Sequence, residues 1–155
     1  MHPVSSNNPA HPQPERIQTA YETVVTAHQR TIDALAGFET MVEKAEPDFL
    51  SVAQQFRDLH LRHTDILAGI LRNAGLDPDE DGTFMGTINR AVVATRAFFD
   101  EIDADVMKQV RRGEENVLAA YRDANAQPLT PSEQQAIAAL IAELQTLLAQ
   151  TQHLS

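Results

Sequence analysis

The sequence predicts an all-α fold built from four long amphipathic helices. Three observations carry this. Apolar residues recur at spacings of three and four through segments of roughly 20–30 residues, the period of one helix face. Glycine and proline, which interrupt helices, fall mostly in a few short stretches. Aromatics make up 5% of the chain and tryptophan is absent, while alanine and aliphatic residues abound, a composition suited to helix packing on helix.

The first helix is expected from about Pro14 to Ala45, with the stripe Ile17, Tyr21, Val24, His28, Ile32, Leu35, Phe38 and Val42. The stretch "EPD" (46–48) breaks it, and Pro47 suits the first position of the next helix. That second helix is expected from Pro47 to Asn73, with Phe49, Val52, Phe56, Leu59, His63, Ile66 or Leu67, and Ile70 inward. Gly75 is its natural stop, followed by Pro78. The acidic loop "GLDPDEDG" (75–82) lacks the alternation and closing glutamate of a calcium loop. A shorter helix follows, from about Thr83 to Phe99. "DEID" (100–103) supplies a cap and an acidic first turn for the third long helix, Glu101 to Ala124. Its stripe is Ile102, Val106, Val110, Glu114, Val117 and Tyr121. After the loop "NAQPLTPSEQ", Thr130 or Ser132 caps the last helix, which runs to about His153 and turns Ile137, Leu140, Ile141, Leu144, Leu147 and Leu148 inward.

The long helices extend roughly 35–47 Å at 1.5 Å per residue. Short loops make the first two antiparallel neighbours, and likewise the last two. The shorter helix, about 25 Å long, carries the chain back along the bundle, so the third long helix runs parallel to the second. This is a ferritin-like four-helix bundle with a short helical crossover between the second and third long helices. The other arrangement is a plain up-down bundle with an extra helix.

At 155 residues the chain is read as one domain, 15–155, preceded by a disordered arm, 1–14, that is rich in proline and has no apolar leader segment. The absence of cysteine excludes disulfides and thiolate chemistry. The net charge of −10 argues against nucleic acid as a partner. No apolar run reaches the roughly 20 residues of a membrane span, so a cytoplasmic protein is expected. A homodimer is compatible with these features.

Several polar residues fall on or near the apolar stripes. Glu114 follows Gly113 inside the third long helix, where glycine costs about 1 kcal/mol relative to alanine. The pair reads as one feature, a close helix approach beside an inward carboxylate. A buried carboxylate needs a partner, and His28, His63 and Arg90 are the candidates. His60 and His63 project from nearly one face, with His60 at the stripe's edge, toward solvent. Asp33, His60, Glu114 and Glu143 fall near one level of the bundle. Asp58 and Arg62, four apart, read as a solvated surface pair. A dimetal ferritin-like site needs two Glu-x-x-His elements. The second helix has "HLRH" (60–63) instead, and the fourth has Glu143 without a histidine three residues on. A mononuclear site from His28, His60, His63 and Glu114 stays open beside an architectural network.

The segments "DALAGF" (33–38), "FRDLHLRHTDILAGILRNAG" (56–75), "GTFMGTINRAVVATRAFF" (82–99) and "RRGEENVLAAYRDA" (111–124) resemble a bacterial ferritin-like family of unknown function, domain of unknown function 2383. The likeness extends from about Thr19 to Ala124. It implies a ferritin-like bundle, and it carries Asp33, Gly37, Gly86, Arg90, Arg112, Gly113 and Glu114 over as family positions. The chain departs from the family pattern at Asn89, Arg111 and Glu115. The resemblance implies no established activity.

Two functional readings follow. The first is a non-catalytic binding or structural bundle protein with an inward His/Glu cluster, its structural polar members being Asp33, Arg90, Arg112 and Gly113. The alternative is a protein that holds iron or zinc through His28, His60, His63 and Glu114, for storage, sensing or oxidative chemistry.

Overall fold

Helix boundaries follow the local signals closely. The computed structural model describes residues 14–78 and 104–154. Among these are four helices, α1 (Pro14–Lys44), α2 (Pro47–Asn73), α3 (Ala104–Asn125) and α4 (Pro131–Gln150), then a 3₁₀ turn at Gln152–Leu154, and no strand. The arm (residues 1–13), the expected crossover helix (83–99) and Arg90 lie outside the described residues.

α2 starts with Pro47 in its first turn and Asp48 beside the positive end of the helix dipole. It stops at Gly75, which adopts φ 84°. The Gly75 N–H donates to the Arg72 carbonyl at 3.0 Å and the Leu76 N–H to the Leu71 carbonyl at 2.9 Å. These two bonds form a Schellman motif and satisfy carbonyls that the helix leaves unpaired. For α4 the structure chooses Thr130 as the cap. Its hydroxyl accepts from the Glu133 N–H at 3.2 Å, and its own N–H donates to Glu133 Oε1 at 3.0 Å. α4 ends at Gln150, short of the expected His153. There the Thr151 hydroxyl donates to the Leu147 carbonyl at 2.8 Å, and the chain tightens into the 3₁₀ turn.

α1 packs against α2 and α3, and α4 packs against α3 and α2. The diagonals of the bundle are therefore α2 with α3 and α1 with α4. Contacts across the first diagonal ascend together, His60 to Glu114 and His63 to Tyr121, so α2 and α3 run parallel. α4 is antiparallel to both: a short loop joins it to α3, whose Arg111 reaches the Leu148 carbonyl, and on the α2 side Arg62 meets Glu143 in a groove that Gln55 and Gln150 also line. The end of α2 and the start of α3 thus lie at opposite ends of the bundle.

Phe38 of α1 stacks on Phe56 of α2 at 4.9 Å between ring centroids. In the same core Met41, Leu67, Leu71, Leu118, Leu140 and Leu144 are buried. Of the alternatives Ile66 and Leu67, the structure buries Leu67 and leaves Ile66 40% exposed. Among the described residues, no helix is long and apolar enough to cross a membrane.

Gly113 departs from expectation. It lies on an exposed face of α3, and a Cβ built there meets no atom within 4 Å. None of the four described helices makes the close approach that its position suggested.

The two glycines should therefore respond oppositely to alanine. Gly75→Ala forces a side chain into the left-handed region and should cost about 1 kcal/mol. Gly113→Ala should leave stability unchanged or raise it by up to about 1 kcal/mol through helix propensity. Urea denaturation midpoints of the two variants provide the measurement.

Candidate functional site

His60 and His63 sit one turn apart on the inner face of α2, and both are fully buried. Two hydrogen-bonded groups of residues converge on them. Their geometry sets where protons reside.

His60 Nδ1 lies 2.8 Å from the Phe56 carbonyl oxygen. A carbonyl only accepts, so Nδ1 carries hydrogen and donates. His60 Nε2 is 2.8 Å from Glu114 Oε2 on α3, and Glu114 is itself buried. With Nδ1–H already committed, this contact must hold a second proton, on the ring nitrogen or on the carboxyl oxygen. The pair is charge-balanced in either form, as imidazolium with carboxylate or imidazole with carboxylic acid.

His63 Nε2 is 2.8 Å from Glu143 Oε2 of α4, and Nδ1 is 3.0 Å from the Tyr121 hydroxyl of α3. Tyr121 in turn lies 3.0 Å from the Thr31 hydroxyl of α1. Burial pulls His63 down to about 4, against the opposing pull of Glu143. The His63 hydrogen bond holds the Glu143 carboxyl below its ordinary value. Burial pushes the Tyr121 phenol up. Near neutral pH His63 is therefore uncharged: its Nε2–H donates to Glu143 and its bare Nδ1 accepts the Tyr121 O–H. The rings form a file from Phe38 to His60 (4.9 Å), His63 (6.3 Å) and Tyr121 (5.7 Å).

This arrangement corrects several expectations. His60 is not at a solvent-facing edge. α2 is flanked by α1 and α4 and faces α3, so its buried arc is wide enough to include His60 beside Phe56 and His63. Glu114 accordingly pairs with His60, not with His63. The expected Asp58–Arg62 pair is replaced by two others. Asp58 meets Arg57 at 3.0 Å and Arg62 meets Glu143 at 3.4 Å, with Asp58 and Arg62 both 59% exposed, so their solvated character stands. His28 is buried on α1 and Asp33 is partly buried there. Arg112 and Gly113 are on the exposed face of α3, away from the buried cluster.

Tyr121, Thr31 and Glu143 belong to the network although the sequence did not single them out as site residues. Tyr121 lies on the α3 stripe and reads as core. Glu143 is 45% exposed, and only its position opposite the middle of α2 hinted at a role.

The fit to a metal ion is poor. No group of three or more His, Asp or Glu among the described residues is arranged to hold one. Zinc at its usual bond lengths and a tetrahedral angle would hold a ligating nitrogen and oxygen about 3.4 Å apart. Both Nε2 to carboxylate separations are 2.8 Å, the length of a charge-assisted hydrogen bond.

Glu114→Ala leaves His60 Nε2 buried without an acceptor or proton source, and should cost about 3–5 kcal/mol of stability. Glu114→Gln lets the amide N–H donate to Nε2, and should cost less than half as much. Denaturant unfolding of both variants measures the difference. The pH dependence has a definite sign. His63 has a folded value near 4 and an ordinary value of 6.5. The unfolded chain therefore binds more protons in that window, and stability is complete above pH 6.5. It should fall by about 3 kcal/mol as pH drops from 6.5 to about 4, a loss that His63→Gln should reduce. Glu143, held low, acts in the same direction at its acidic end.

A family model described as Domain of unknown function (DUF2383) matches residues 20–127. Comparison with curated proteins and with solved structures gives no match. The matched span takes in α1 from Ala20, all of α2 and α3, and therefore His60, His63, Glu114 and Tyr121. It stops short of α4 and Glu143. The chain belongs to this family, Domain of unknown function (DUF2383).

Proposed function

We propose that the protein is a non-catalytic, ferritin-like bundle with a binding or structural role, and that its inward His/Glu cluster is architectural. One observation carries the reading: both ring nitrogens of His60 and of His63 are already engaged by protein atoms, at 2.8–3.0 Å. A ligating imidazole needs one nitrogen with a free lone pair directed at the metal. Here that direction is occupied by a proton shared with a carboxylate, or by a phenol. The parallel course of α2 and α3 supports the ferritin-like arrangement. The charge of −10 supports a partner other than nucleic acid.

The test is metal analysis of untagged protein after growth with added iron or zinc. The expected content is below about 0.1 metal per chain. Stoichiometric metal that is lost in Glu114→Ala and His63→Ala, but kept in Asp58→Ala, would overturn the architectural reading in favour of storage, sensing or oxidative chemistry.

A further inference from the structure

The chain of hydrogen bonds that begins at Glu143 and ends on α1 can be completed in two directions. Thr31 is the reason. Its single hydroxyl hydrogen has two acceptors in reach: the Ala27 carbonyl at 2.7 Å and the Tyr121 oxygen at 3.0 Å. With His63 neutral, Thr31 donates to Tyr121, Tyr121 donates to His63 Nδ1, and His63 Nε2–H donates to Glu143. With a proton on Nδ1 the order reverses. His63 Nδ1–H donates to the Tyr121 oxygen, Tyr121 donates to Thr31, and Thr31 donates to Ala27. Two hydroxyl hydrogens rotate about their C–O bonds and no heavy-atom contact is lost.

We propose that Glu143, His63, Tyr121, Thr31 and the Ala27 carbonyl form a reversible hydrogen-bond relay, an acid-responsive device that lets the folded bundle take one proton on His63. The inference rests on the architectural reading of His63. In most cores a buried histidine that becomes charged faces a donor or an apolar wall and breaks a contact. Here every polar atom in the chain keeps a partner in both states. Protonation also turns the His63–Glu143 hydrogen bond into an ion pair, which strengthens the link between α2 and α4. Glu143 Oε2 sits at the surface end of that link, in a shallow groove lined by Gln55, Asp58, Arg62, Thr146 and Gln150.

The charged groups around His63 set the range in which the device works. On α2, His60 and Arg62 oppose a positive charge, and on α4 Glu143 favours it. α3 contributes Tyr121 and, next to His60, Glu114. α1 contributes the Thr31 hydroxyl behind Tyr121, with His28 buried one turn earlier. Burial outweighs Glu143, so the relay reverses in mildly to strongly acidic conditions.

The experiment is a pH titration of histidine ¹⁵N resonances in metal-stripped full-length protein, with far-UV circular dichroism recorded alongside and metal content measured before stripping. His63 should be the Nε2–H tautomer at neutral pH and should gain its Nδ1 proton while the helices remain formed. Tyr121→Phe removes the hydroxyl at the centre of the relay and should lower the His63 midpoint by about one unit or more. Thr31→Val removes the acceptor for Tyr121 and should lower it in the same direction, and Thr31→Ser should restore it. An Nδ1–H tautomer at neutral pH would overturn the relay, as would a Thr31→Val midpoint equal to that of the wild type. Because Thr31→Val and Thr31→Ser form a matched pair at one position, the relay stays testable if Tyr121→Phe does not fold. Stoichiometric metal before stripping would count against the architectural reading instead, so the two failures are distinguishable.

Discussion

The contact between His60 and Glu114 constrains the bundle at its centre. It joins α2 to α3, which are diagonal and not adjacent, so it passes through the centre of the core. A hydrogen bond of 2.8 Å across that diagonal leaves little freedom. Sliding α3 by one residue turns its side chains by about 100° and would carry Glu114 out of the interior. The cost of burying the pair is met only when both partners arrive together, since either alone is an unsatisfied polar group in an apolar setting. The pair therefore acts on specificity of alignment more than on net stability.

The second pair extends this constraint outward. His63 is the neighbour of His60 on α2, yet it faces different partners and carries a different charge burden. His60 is enclosed with a buried carboxylate and shares a proton with it. His63 lies between a buried phenol and a carboxylate that is 45% exposed. Two adjacent buried imidazoles could not both be charged without compensation, and each has its own acid. Together the two pairs tie α2 to α3 and α4, while Thr31 adds α1 through Tyr121. All four helices thus meet at a single polar level.

Much of the fold was readable locally. The bounds of α2 follow from Pro47 and Gly75, because a fixed proline φ and a left-handed glycine act within a few residues. The Thr130 cap was one of two local candidates, and Glu133 three residues on decided between them. The site was harder to read. A stripe drawn through Phe49, Val52, Phe56, Leu59 and His63 left His60 at its margin, because a stripe has one centre whereas α2 has neighbours on both sides. Arg62 is four residues from Asp58, yet it turns to Glu143, which only the packing of α4 against α2 brings near. Gly113 marked the right turn of α3 beside Glu114, but its own face is open to solvent.

By itself, the sequence determined that the chain is helical, where α2 stops, that Thr130 or Ser132 opens α4 and that Glu114 points inward. Each of these depends on interactions spanning a turn or two of backbone, or on the 3.6-residue period. The tertiary structure alone decided what Glu114 faces, that Glu143 and Tyr121 share His63, and that every ring nitrogen of His60 and His63 is engaged. The His60–Glu114 partners lie 54 residues apart and the His63–Glu143 partners 80, on helices whose relative rotation no local signal specifies. That rotation is set by how the apolar arcs of all four helices fill one core, and the polar partners follow from it.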